Sequence, residues 1–129
     1  MIDRFLLIIT IVISLFCIVK YLKYRQFRKV KSISNKLADN KQTTPYIVYF
    51  WSPHCPQCKT MQQAILKRIS QKFSYSIRKI NITEHNNMVK KWNVRTVPTT
   101  YILNSSGEIK FINNGLKSEK EIIAQLRNL

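Results

Sequence analysis

The sequence predicts an α/β domain with a mixed β-sheet and helices on both of its faces, preceded by one apolar helix at the N-terminus. Three observations support this fold class. After residue 45, β-branched and aromatic runs alternate with amphipathic helical patterns. A turn-rich segment near the C-terminus joins two strands as a hairpin, and residues 5–19 form an uncharged apolar run. The 129 residues leave room for one such domain beside the apolar helix.

The apolar helix is predicted to be an uncleaved membrane anchor over residues 2–24. The uncharged core Phe5–Val19 rises only about 22 Å, but Ile2–Leu22 reaches about 31 Å and matches the hydrocarbon core of a bilayer. Lysines and tyrosines follow directly, as is typical of the membrane interface. A cleaved signal peptide is the main alternative, yet no cleavage site of small residues follows the apolar run.

Basic residues give the chain a net charge of +16, and they are dense beside the anchor. Six Lys or Arg residues lie between Lys20 and Lys31, whereas Arg4 alone precedes the apolar run. The positive-inside rule therefore predicts a single-pass protein with the domain that follows the anchor in the cytoplasm, and an outward-facing domain is the alternative. Anionic lipid headgroups are expected partners of this flank. Nucleic acid is not, because no nucleic-acid-binding motif accompanies the charge.

Residues 25–44 are predicted to form a basic juxtamembrane helix and linker. Val30, Ile33 and Leu37 recur at helical spacing, and residues 39–45 have the composition of a turn. The folded domain is expected to occupy residues 45–129.

The strands of this domain are predicted first from their apolar runs. Tyr46–Trp51 is a continuous run of β-branched and aromatic residues, as expected for a strand buried on both faces. The other predicted strands are 75–82, 97–103 and 108–112, with a hairpin turn at 104–107.

The helices are predicted from amphipathic spacing and capping signals. Met61, Ile65 and Ile69 recur at helical spacing after Pro56, and a short helix is expected through residues 88–92. Ser118 and Glu121 form the pattern of a capping box, which predicts a last helix extending to residue 129.

The chemically informative pair is Cys55 and Cys58, which lie between the first strand and the helix that follows. Two intervening residues let both sulfurs meet within one helical turn and form a disulfide. The helix N-terminus favours the thiolate of Cys55, the nucleophile, and protonated His54 is expected to act in the same direction. Cys58, one turn into the helix, is suited to resolving a mixed disulfide.

A zinc site is the structural alternative for this cysteine pair. Cys55, Cys58, His54 and His85 are potential ligands, but no second closely spaced ligand pair occurs in the sequence. We therefore expect no metal and no cofactor other than the redox-active disulfide Cys55–Cys58.

The stretch from Pro45 to Leu129 resembles the thioredoxin superfamily. The segment FWSPHCPQCK resembles the active-site segment of that family, in which a Trp, here Trp51, precedes the motif. Val97-Pro98-Thr99 resembles the family's cis-proline loop. The resemblance implies a thioredoxin-like fold, a cis-Pro98 packed against the dithiol, and a substrate peptide paired with the backbone of Val97.

Further family positions either match or depart from the thioredoxin pattern. Lys79 falls where thioredoxins carry a lysine near the buried sulfur. Tyr49 occupies the place of their buried aspartate, six residues before the first cysteine, so proton transfer from the resolving thiol would need water or His54. His54 replaces the usual aromatic residue, and Pro-Gln between the cysteines differs from the Gly-Pro of thioredoxins.

The resemblance implies an enzyme of cell redox homeostasis, a thiol–disulfide oxidoreductase acting on protein thiols and disulfides at a membrane surface. A recycling reductase or a membrane electron donor is the expected second partner. The alternative is a thioredoxin scaffold that serves as a binding or chaperone module in a membrane-bound assembly. The presence of both cysteines favours the enzyme.

Overall fold

The computed structural model of the chain describes residues 2–37 and 43–129. In these ranges the helices are α1 (Ile2–Leu37), α2 (Gln63–Phe73), α3 (Asn86–Lys91) and α4 (Glu119–Arg127). The strands are β1 (Tyr46–Trp51), β2 (Ser76–Asn81), β3 (Thr99–Leu103) and β4 (Ile109–Asn114). A π-helical segment, Cys58–Gln62, leads directly into α2.

The N-terminal helix α1 is unbroken over 36 residues. Its stretch Asp3–Arg25 is exposed and is long and apolar enough to cross a membrane, a description by length and composition that an N-terminal signal sequence also meets. The juxtamembrane helix expected after the anchor is the continuation of α1 to Leu37. The expected linker lies largely outside the described residues, because residues 38–42 are not among them.

The four strands form one mixed sheet, as predicted, and their order in the sheet is β2-β1-β3-β4. β1 is parallel to β2, and β3 is antiparallel to both β1 and β4. Near the carboxyl end of β1, Phe50 pairs with Thr99, the first residue of β3. Thr99 in turn pairs with Asn114, the last residue of β4. The segments that follow β1, precede β3 and follow β4 therefore meet at one edge of the sheet, which we call the active edge.

The start of β3 and the end of β4 differ from the predicted bounds. β3 begins at Thr99 rather than at Val97, because Pro98 has no backbone N–H to donate to a ladder. β4 extends beyond the predicted end at residue 112, and its last two residues, Asn113 and Asn114, pair with the start of β3.

The domain has three layers, because side chains alternate between the two faces of β1 and are buried on both. Ile47 and Tyr49 belong to the hydrophobic cluster that α2 and α4 cover. Val48 and Phe50 belong to the opposite cluster, which Trp92 at the end of α3 completes. Helices therefore cover both faces of the sheet, as the fold class required.

Helix α4 begins with the capping box predicted from the sequence. The Glu121 N–H donates to the Ser118 hydroxyl at 3.3 Å, and the Ser118 N–H donates to the Glu121 carboxylate at 3.0 Å. Hydrogen bonds from Lys117 and from Ser118 lower the pKa of Glu121 to about 2. The helix ends at Arg127, two residues before the predicted end.

We expect Ser118→Ala to lower the free energy of unfolding by about 1 kcal/mol, since it removes the cap of α4. Folding lowers the pKa of Glu121 from 4.5 to about 2, so the ionised carboxylate stabilises the folded state. Its contribution to the free energy of unfolding is complete above about pH 4.5 and is lost as the pH falls toward 2. Denaturant titration of the full chain in detergent micelles at several pH values measures both effects. The control is Ser105→Ala in the exposed hairpin turn, and an equal loss in both variants would contradict the assignment.

Candidate active site

The chain makes a tight turn between the end of β1 and the first helical residue. Ser52 is buried in this turn. Its carbonyl accepts the N–H of Cys55 at 3.1 Å, and its hydroxyl accepts the N–H of His54 at 3.2 Å. The helical stretch begins at Pro56, a position where a missing N–H costs nothing. The turn therefore places Cys55 immediately before the amino end of a helix.

Cys55 and Cys58 form a disulfide with their Cα atoms 5.3 Å apart. The two sulfurs differ in access: Cys55 is partly exposed, whereas Cys58 is 0% exposed. The Cys58 N–H donates to the Cys55 sulfur at 3.2 Å. Such a donor and the helix amino end both favour negative charge on the Cys55 sulfur once the disulfide is reduced. Cys55 is therefore the sulfur that an external thiol or disulfide can reach.

Tyr49 lies beneath the disulfide, on the face of β1 that α2 and α4 cover, and is 0% exposed. Its hydroxyl donates to the Cys58 carbonyl at 2.9 Å. Burial raises the pKa of this hydroxyl to about 12. Sequence reasoning identified Tyr49 only as a departure from the family aspartate and missed this contact. The strand alternation could have indicated this contact, because Tyr49 lies on the same face of β1 as Ile47 and that face lies under α2.

The Cys58 carbonyl accepts a second hydrogen bond, from the N–H of Gln63. This bond spans five residues and makes Cys58–Gln62 π-helical rather than α-helical. Single π-helical turns are frequent at functional sites. The α-helix expected to run from Pro56 therefore has a widened turn at Cys58.

Gln62 connects the π-helical segment to the loop between β4 and α4. It is 0% exposed; its amide nitrogen donates to the Lys117 carbonyl at 3.4 Å, and the Lys117 N–H donates to its amide oxygen at 2.8 Å. In the same loop, the N–H of Gly115 donates to the Pro98 carbonyl at 2.7 Å, with the glycine at a φ of 87°.

Three hydrogen-bonded pairs thus connect the segments around the disulfide, and we call them the dithiol frame: Tyr49–Cys58, Gln62–Lys117 and Gly115–Pro98.

Val97 and Pro98 lie at the active edge, directly before β3. The Val97–Pro98 peptide bond is cis. Pro98 is buried, and Val97 is partly exposed and packs against the hydrophobic cluster that contains Cys58. Cys55 packs against the same cluster. The loop before β3 and the cysteine pair therefore share one part of the core.

The remaining predicted site residues have different environments. Trp51 is half-buried and packs against the cluster that contains Cys58. His54 is exposed next to Cys55. Lys79 is the register partner of Tyr49 on β2, and its side chain is exposed. Within residues 2–37 and 43–129, no group of three or more His, Cys, Asp or Glu side chains is arranged to hold a metal ion.

Comparisons with protein families and known sequences agree with this geometry. The thioredoxin family model matches residues 27–128. A thioredoxin of Rickettsia bellii is 30% identical over 90 residues, which is 68% of this chain and 84% of the relative. A thioredoxin of Rickettsia felis is 31% identical over 81 residues, which is 61% of this chain and 75% of the relative.

Solved structures show the same fold at lower sequence identity. Thioredoxin-2, described as a component of the malaria parasite protein secretion machinery, has a TM-score of 0.65 and 20% identity, covering 70% of this chain and 87% of that chain. A mutant thioredoxin from Halobacterium salinarum has a TM-score of 0.62 and 20% identity, covering 74% of this chain and 80% of that chain.

Proposed function

The chain belongs to the thioredoxin family of thiol–disulfide oxidoreductases, and we propose that it exchanges electrons between the Cys55–Cys58 dithiol and protein substrates at a membrane surface. The observation that carries the chemistry is the asymmetry of the disulfide. One sulfur is accessible at the start of a helix, and the other is buried one turn later.

In the reducing direction, the reaction has two exchange steps. The Cys55 thiolate attacks a substrate disulfide, forming a mixed disulfide and releasing one substrate thiolate, which takes up a proton. Cys58 then loses its proton and attacks the Cys55 sulfur. This second step forms the Cys55–Cys58 disulfide and releases the second substrate thiol. Two electrons pass from the dithiol to the substrate, and the oxidising direction is the reverse sequence.

The surrounding residues are assigned supporting roles in this proposal. The backbone of Val97 would pair with the substrate peptide beside Pro98, which contributes a donor-free surface. His54, when protonated, would stabilise the Cys55 thiolate. Trp51 would support the active-site turn, and Lys79, exposed beside Tyr49 on β2, would add positive charge on the Cys58 side of the site. A recycling reductase or a membrane electron donor would restore the dithiol after each turnover.

The membrane context of the proposal is supported by α1. Three cation–π pairs follow its apolar stretch at successive turns: Lys20 over the Phe16 ring at 5.2 Å, Arg25 over Tyr21 at 5.9 Å and Arg28 over Tyr24 at 5.9 Å. Tyrosine, lysine and arginine at the end of an apolar helix are typical of the headgroup layer, where anionic lipids attract them. We infer an anchor over residues 2–24 with the catalytic domain on its carboxyl side.

Trapping experiments test the two cysteine roles. The chain has a third cysteine, Cys17, which lies in the apolar stretch of α1 and is free. In a Cys17→Ser background, we expect Cys58→Ser to accumulate mixed disulfides through Cys55, because the resolving thiol is absent. Cys55→Ser should trap none, because the remaining thiol is buried. Non-reducing electrophoresis with disulfide-bonded protein substrates gives the measurement. The mechanism is wrong if both single variants retain disulfide reductase activity.

We predict that the Cys55–Cys58 couple is less reducing than that of thioredoxin, which is about −270 mV. Pro56 and His54 are expected to stabilise the reduced thiolate form and so raise the potential. Equilibration with glutathione buffers measures it, and a value at or below that of thioredoxin rules the prediction out. His54→Trp should lower the potential, whereas His85→Trp, at the start of α3, should leave it unchanged.

We predict that the catalytic domain faces the cytoplasm, because six basic residues follow the apolar run of residues 5–19 within twelve positions and one precedes it. A membrane-impermeant thiol label should then reach Cys55 only after permeabilisation of mildly reduced cells. A double variant with Cys55→Ser and Cys58→Ser controls for labelling at Cys17. Rapid labelling of Cys55 in intact cells would establish the opposite orientation and make a membrane electron donor or an oxidising role necessary.

A further inference from the structure

Two buried tyrosines on the central strands make the same kind of hydrogen bond on opposite faces of the sheet. The Tyr49 hydroxyl on β1 donates to the Cys58 carbonyl at 2.9 Å. The Tyr101 hydroxyl on β3 donates to the Trp92 carbonyl at 2.7 Å. Both side chains are 0% exposed, and each bonds a main-chain oxygen nine residues away. Only the Tyr49 bond ends on a cysteine of the active site.

The main chain of Cys58 is held from two sides. Its N–H donates to the Cys55 sulfur, and its carbonyl accepts from both Tyr49 and Gln63. The Tyr49 bond links Cys58 to the buried middle of β1, one of the two central strands. The cysteine therefore does not depend on the wide π-helical turn alone for its position.

The basic side chains on the segments around the dithiol are at least partly exposed. They are His54 and Lys59 on the cysteine-bearing segment, Lys79 beside Tyr49 on β2, and Lys117 in the loop before α4. Among the described residues, no Asp or Glu is buried. The polar group beneath Cys58 is a phenol that stays neutral at physiological pH, because burial raises its pKa to about 12.

We propose that Tyr49 is a positioning residue that holds the resolving cysteine in place and takes no part in proton transfer. The inference rests on the proposed dithiol function. In the resolution step, the Cys58 proton passes to water at the open side of the site, where Cys55 lies. The Cys58 thiolate then attacks the Cys55 sulfur, and the departing substrate thiolate takes up a proton from water. Tyr49 keeps its own proton throughout.

The test uses the full chain with Cys17→Ser in detergent micelles, reduced and mixed with an aromatic disulfide that releases a coloured thiolate at each step. The first release reports attack by Cys55, and the second reports resolution by Cys58. Tyr49→Phe should slow the second release about threefold to tenfold, the effect of losing one neutral hydrogen bond, and leave the first unchanged. Tyr101→Phe, the matched control, should change neither.

The pH profile separates positioning from proton transfer. In the parent chain, we expect the second release to follow a single thiol ionisation. Tyr49→Phe should lower its limiting rate without moving the apparent pKa. Resolution at the parental rate in Tyr49→Phe, equal slowing in Tyr101→Phe, or a shifted apparent pKa would each overturn the inference.

Two further outcomes keep the result interpretable. If Tyr49→Phe does not fold, the pH profile of the second release in the parent chain still tests the inference, because a second ionisation in that profile would overturn it. A first release that is unaffected by Cys55→Ser would instead refute the proposed function, and with it the premise of this inference.

Discussion

The position of the dithiol depends on the burial of β1 on both faces of the sheet. Residues 47–50 have no more than 1% of their surface exposed, and β1 lies between β2 and β3 in the sheet. A shift of β1 by one residue would exchange its two faces and carry the Tyr49 hydroxyl away from the Cys58 carbonyl, so the packing of each face specifies the register. The turn at Ser52 and the helix that follows take their places from the end of this strand.

The dithiol frame extends that order to the three segments at the active edge. It consists of neutral groups: a phenol, a carboxamide and backbone amides. Neutral hydrogen bonds satisfy buried polar atoms without the desolvation cost of a buried charge. Gln62 and Gly115 thereby connect the resolving cysteine, through one loop, to the proline beside β3. Bonds between distant segments therefore hold the site in addition to the local hydrogen bonds of the turn at Ser52.

Sequence reasoning succeeded where information was local. A run of six apolar residues predicted β1, the spacing of Cys55 and Cys58 predicted the disulfide, and the pair Ser118–Glu121 predicted the start of α4. These features depend on neighbours within a few positions of one another.

The contacts of the dithiol frame were not predictable in this way. Gln62 and Lys117 are 55 residues apart, and nothing in the sequence around either residue indicates a partner. The π-helical turn is a second example, because the pattern of apolar residues after Pro56 fits an ordinary α-helix. The turn widens where the Cys58 carbonyl accepts two donors, a condition that arises only in the folded core.

The unequal burial of the two cysteines also bears on which of them a peroxide would oxidise first. In the proposed mechanism, a peroxide would meet the partly exposed Cys55 first and oxidise its thiolate to a sulfenic acid. The thiol of Cys58 lies one helical turn away and condenses with that sulfenic acid, releasing water and forming the Cys55–Cys58 disulfide. Further oxidation to the irreversible sulfinic acid must compete with this intramolecular reaction. Peroxide oxidation would therefore end at the Cys55–Cys58 disulfide, which a dithiol of lower reduction potential can reduce again.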